Sequence, residues 1–83
     1  MALSQEVIDA LDREKRACGI AIEALDAEAR TYERRYGMST DEFARRFDAG
    51  QLGDDHDFFV WYGLYKGLQE WRRRKAAIEE ALR

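Results

Sequence analysis

The stretch Ser4–Tyr36 reads SQEVIDALDREKRACGIAIEALDAEARTYERRY, and its spacing decides the fold class. Ile8, Leu11, Lys15, Cys18, Ile22, Leu25, Ala29, Tyr32 and Tyr36 follow one another at alternating intervals of three and four. Such a seam keeps one stripe of a helix apolar over four heptads, with Lys15 its one charged member. Ser4 can cap the first turn, and Leu3 and Ile8 hold the positions of a hydrophobic staple. Gly37 supplies the left-handed residue on which helices end. The spacing predicts one helix over 4–36, about 50 Å long at 1.5 Å per residue. Gly19 inside it costs about 1 kcal/mol against alanine. A lone helix of that length has no core and needs a partner.

Working outward, Ser39-Thr40-Asp41-Glu42 matches a capping box, with Met38 and Phe43 at staple spacing. Phe43, Phe47 and Leu52 give a short helix over 40–49 one apolar edge, and Gly50 ends it. Asp54 or Asp55 then caps a third helix over 55–82, with Asp57 in the first turn where the macrodipole favours negative charge. Trp61, Leu64, Leu68, Trp71, Lys75, Ile78 and Leu82 form its seam. Six acids stand four residues before a base, in the better orientation for helix pairs: Asp9/Arg13, Asp12/Arg16, Asp26/Arg30, Asp41/Arg45, Glu42/Arg46 and Glu70/Arg74. No strand pattern, repeat or low-complexity tract interrupts this order. The reading is all-α: one domain over 1–83, a long antiparallel helical hairpin with a short intervening helix. Pairing into a dimeric four-helix bundle is expected.

Placing Tyr32 near Phe58 sets a register. It faces Ala29 with Trp61, Leu25 with Leu64, Ile22 with Leu68, Cys18 with Trp71, and Lys15 with Lys75. The two lysines either snorkel outward or loosen that layer and set its register.

Composition narrows the functional classes. Eighty-three residues make one domain with a thin stability margin. Cys18 stands alone, so no disulfide framework forms and a reducing, cytoplasmic setting is expected. No apolar run reaches the roughly 18 residues of a membrane span, and Ser4–Asp12 is too polar for a signal peptide. His56 is the one histidine, and no nucleophile–base pair or phosphate loop stands out, so an enzyme is not expected. No cofactor is expected either.

Chemistry-bearing residues concentrate at one place. Phe58, Phe59, Val60, Trp61, Tyr62, Leu64, Tyr65, Leu68 and Trp71 make the third helix apolar around most of its circumference. Such a helix is buried on more than one side, by its own chain, by a second copy or by another protein. Gly63 and Gly67 on one face suit a close backbone approach or are simply tolerated. Asp54-Asp55-His56-Asp57 fits no metal loop and reads as a cap on a solvated turn, or as an acidic tip for a basic groove. Arg72-Arg73-Arg74-Lys75 fans around the helix axis, and with a net charge of -3 a solvated surface is favoured over nucleic-acid contact.

The string Tyr36-Gly37-Met38-Ser39, Glu42-Phe43, Phe47, Gly50-Gln51-Leu52-Gly53-Asp54-Asp55, Asp57-Phe58-Phe59 and Trp61 resembles a group of small bacterial and archaeal helical proteins of type II toxin–antitoxin operons. The resemblance covers about the middle third of the chain. It implies a protein-binding antitoxin whose partner is a small ribonuclease-like toxin. On that reading Phe58, Phe59, Trp61 and Tyr62 anchor the partner, and Asp54, Asp55 and Asp57 steer toward its basic groove. No DNA-binding module is recognisable, which puts an autoregulatory role in doubt. The alternatives are a structural or adaptor homodimer and, less favoured, a nucleic-acid-associated helical protein.

Overall fold

The computed structural model of the chain describes residues 2–83, which form three helices: α1 (Gln5–Tyr36), α2 (Thr40–Asp48) and α3 (His56–Leu82). Each begins on an expected cap. The Ser4 hydroxyl accepts from Val7 N, the Ser39 hydroxyl from Glu42 N, and the Asp55 carboxylate from Asp57 N. The box at α2 is half-formed, because the Glu42 carboxylate accepts from Arg45 and Arg46. Gly37, at φ 68°, ends α1 with its N–H donating to Glu33 O. Gly50, at φ 69°, turns the chain out of α2. Both positions need the left-handed region that glycine enters without a Cβ penalty.

α1 and α3 run antiparallel as the expected hairpin, and α2 closes one end. The register, however, lies one helical turn from the expected one. Tyr36 meets Phe58 with ring centroids 5.1 Å apart, and Tyr32 stacks on Trp61 at 5.8 Å. The Leu25 methyl group Cδ1 approaches Gly67, the residue before Leu68. Towards the open end of the hairpin Ile78 is buried, while Lys15 and Lys75 are half-buried and line one shallow groove with Gly19.

α2 sets this shift. Phe43 lies flat on Trp61, with centroids 3.9 Å apart and planes 7° from parallel, while Tyr32 and Tyr36 also stack on that indole. Trp61 Nε1 donates to Thr40 Oγ1 at 3.0 Å. Thr40 in turn donates from its hydroxyl and its backbone N–H to Glu33 Oε2, at 2.9 and 2.7 Å. Every polar atom in this buried corner is therefore partnered, as low-dielectric surroundings require. The aromatic enclosure demands that Trp61 sit beside the end of α1 and the start of α2. Burying an indole of roughly 200 Å² at about 25 cal/mol per Å² outweighs any preference in the leucine layers.

Ion pairing follows the hairpin more than the single helices. Glu42–Arg46 forms as expected at 2.9 Å. Asp26 instead pairs with Arg72 across the hairpin at 3.2 Å, and Arg74 reaches Glu14 at 3.6 Å. Glu70 takes Arg73, one residue short of the expected Arg74. The other four-residue pairs are absent among the described residues. Exposed pairs are worth little, so these choices adjust the surface without fixing the fold.

Candidate partner-binding surface

The end of the hairpin capped by α2 collects the singled-out residues and divides them. Trp61 is 0% exposed, so in this fold it is core and has no surface to offer as an anchor. Phe58 is half-buried between Tyr36 and Phe43. Asp57 is also committed internally. Its Oδ2 accepts from Tyr36 Oη at 2.6 Å and from Arg35 at 2.7 Å, tying the start of α3 to the end of α1. These two donors hold the Asp57 carboxyl below its ordinary range, Tyr36 contributing most. The same bond raises the Tyr36 phenol above its own.

What remains outward is a smaller aromatic patch. Phe59 is 56% exposed, and its ring meets Phe47 edge-on at 5.7 Å. Phe47 stacks on Tyr62 at 4.4 Å, and Tyr62 adjoins Tyr65 at 5.7 Å. Val60 is also exposed, on the next position around α3. The Tyr62 hydroxyl donates to Asp48 Oδ1 at 2.7 Å, which orients the ring and raises its pKa. Lys66 Nζ lies 5.6 Å from the Tyr62 ring centroid. Phe47, Val60 and Asp48 were not among the expected contact residues. Phe47 lies on the apolar edge of α2, and only the position of α2 along α3 shows that this edge continues to the surface.

Charge gathers at the same end. Residues 38–57 carry six carboxylates against two arginines, a net of -4, which leaves +1 for the rest of a chain of net -3. Both arginines, Arg45 and Arg46, are engaged by Glu42. Asp54 and Asp55 are exposed, and Asp55 also serves as the cap. The surface is thus an apolar strip rimmed by acid. No group of three or more histidine, cysteine, aspartate or glutamate side chains placed to hold a metal occurs among the described residues. None of the described helices is long and apolar enough to cross a membrane.

Comparison of the chain with family models, with curated proteins and with solved structures gives no match.

Proposed function

We propose that the chain is a non-catalytic protein-binding module that works as an antitoxin does, covering the active surface of a small cytoplasmic toxin. The observation that carries this reading is the exposed ring of Phe59, held on Phe47 and Tyr62 beside Asp48, Asp54 and Asp55. A rigid aromatic presented at low entropic cost is a typical hot-spot anchor, and an acidic rim steers it toward a cationic groove. The ribonuclease-like class of the partner comes from the sequence resemblance in the middle third of the chain. Within that reading the anchors are Phe59 and Tyr62, and Asp54 and Asp55 steer. Trp61 and Asp57 support them from behind.

Co-expression with the product of the adjacent gene tests the proposal. The pair should co-purify and the chain should relieve that product's toxicity, while Phe59→Ser should abolish both without loss of helicity. A neighbour that is neither toxic nor bound sinks the antitoxin role.

A second reading, pairing of two hairpins into a four-helix assembly, draws support from the shape. The accessible surface is 5884 Å², against roughly 5,100 Å² for a compact monomer of this mass. The radius of gyration is 16.3 Å, against about 12 Å. Away from α2 the hairpin is two helices thick with both sides open, and a second copy would cover one of them. The two readings use different surfaces and are compatible.

A further inference from the structure

The outer face of α1 carries a second three-four seam, opposite the one that packs on α3. Ala10, Arg13, Ala17, Ile20, Ala24, Ala27, Thr31 and Arg34 alternate at intervals of three and four, and all are exposed. Ile20, at its middle, is 70% exposed, the most exposed large apolar side chain among the described residues. Five of the eight are apolar, Ala10, Ala17, Ile20, Ala24 and Ala27, a stripe narrow and small enough for a second helix to approach closely.

The charges flanking this seam choose the occupant. Asp9, Arg16, Glu23 and Arg30 run along one flank at seven-residue intervals, and none makes an ion pair within the described chain. Asp9 accepts only a neutral hydrogen bond, from Gln5. Their signs alternate. In a parallel pair this flank faces Glu14, Ala21, Glu28 and Arg35 of the second helix, which sets acid on acid and base on base. An antiparallel pair brings the flank against itself. With Ile20 packed on Ala17 of the second copy, Asp9 meets Arg30 and Arg16 meets Glu23, each contact made twice by the two-fold symmetry. Sliding by one heptad in either direction puts Arg16 on arginine and Glu23 on an acid. One register out of these arrangements is attractive throughout.

We infer that this face binds a second copy of the chain, α1 against α1 antiparallel, with Ile20 of each copy seated on Ala17 of the other. The inference rests on the dimer reading given above and names its surface, orientation and register. The paired segment, Ala10–Ala27, is about 27 Å long at 1.5 Å per residue. Ala10 meets Ala27 and Ala24 meets Arg13, so a small residue opposite each Arg13 leaves its stem room to turn outward. The arrangement leaves Phe47, Phe59 and Tyr62 free on the far side of each α3, so a dimer presents two acidic aromatic corners.

Sedimentation velocity across protein concentration, with helicity followed in parallel, tests it. The wild type should dimerise, and more weakly as salt rises, because four exposed ion pairs are screened. Arg16→Glu alone and Glu23→Arg alone should each weaken dimerisation at least about tenfold, replacing two attractions by two repulsions. The double variant should return it to within about threefold of wild type. Ile20→Glu should abolish it while the helical content stays. A wild type that remains monomeric at several hundred micromolar, on the order of any weak dimer's dissociation constant, overturns both the dimer reading and this inference. A dimer indifferent to these substitutions overturns the assigned face and leaves dimerisation standing. Loss in the single variants without recovery in the double overturns the register.

Discussion

The Tyr36 hydroxyl donates to Asp57 Oδ2 at 2.6 Å, joining the last residue of α1 to the first turn of α3. This contact needs a protonated phenol and an ionised carboxylate, so it has an acid and an alkaline limit. The Asp57 carboxyl is held low by Tyr36 and Arg35, so its contribution is full above the unfolded value of about 3.9. It is lost as pH falls through the lower folded value. Tyr36 is raised, so its contribution is full below about 10 and is lost as pH climbs through the higher folded value. The urea midpoint of the wild type should therefore drop further between pH 6 and pH 3 than that of Asp57→Asn. Parallel drops in the two proteins would show that the contact adds no pH-dependent stability.

The Thr40 hydroxyl accepts from the indole of Trp61 and donates to Glu33, so one side chain links all three helices. Thr40→Val keeps the shape and removes both bonds, leaving the indole N–H buried without a partner. The expected cost is about 1–3 kcal/mol by urea denaturation. Thr40→Ser retains the hydroxyl and should cost less. A Thr40→Val variant as stable as the wild type would show that the two side-chain bonds add nothing to stability.

Gly63 and Gly67 share a face of α3 but meet different surroundings. A Cβ at Gly63 has no neighbour within 4 Å, whereas one at Gly67 lies 3.3 Å from Leu25 Cδ1. Gly63→Ala should thus stabilise by up to about 1 kcal/mol through helix propensity alone. Gly67→Ala should gain less, because Leu25 must give way before the propensity is realised. Thermal melts of the two variants decide, and an equal gain at both would show that Leu25 moves freely.

Asp54 and Asp55 lie outside the helix core contacts of the aromatic corner, and Asp54 makes no hydrogen bond among the described residues. If they steer a cationic partner, their effect belongs to the association rate. Asp54→Asn should slow association with the partner several-fold at low salt, on the order expected for a rim charge, and leave dissociation nearly unchanged. The difference should vanish above roughly 0.5 M salt, where the Debye length falls to a few ångströms. Surface plasmon resonance at two salt concentrations reads both, and a change confined to dissociation would place Asp54 in the contact itself.

Helix boundaries were legible in the chain because they are local properties. Ser4, Ser39 and Asp55 cap the backbone within three residues of themselves, and Gly37 and Gly50 turn it without reference to anything distant. The same holds for the two seams that make the hairpin all-helical and antiparallel. Three- and four-residue spacing names the buried stripe of a helix but not its axial position against another stripe, since leucine layers pack comparably one turn apart. That position was decided by α2. Phe43 and Thr40 enclose Trp61 from a separate element, and this enclosure moved the register, made Trp61 core and turned Phe59 outward. Asp57 likewise reads as a steering charge beside Asp54 and Asp55, and only the closeness of Tyr36 and Arg35 converts it into a tie between helices. Sequence determined the elements through short-range backbone chemistry. Tertiary structure decided which aromatic rings and carboxylates remain for a partner, because that depends on which side chains the other helices have already taken.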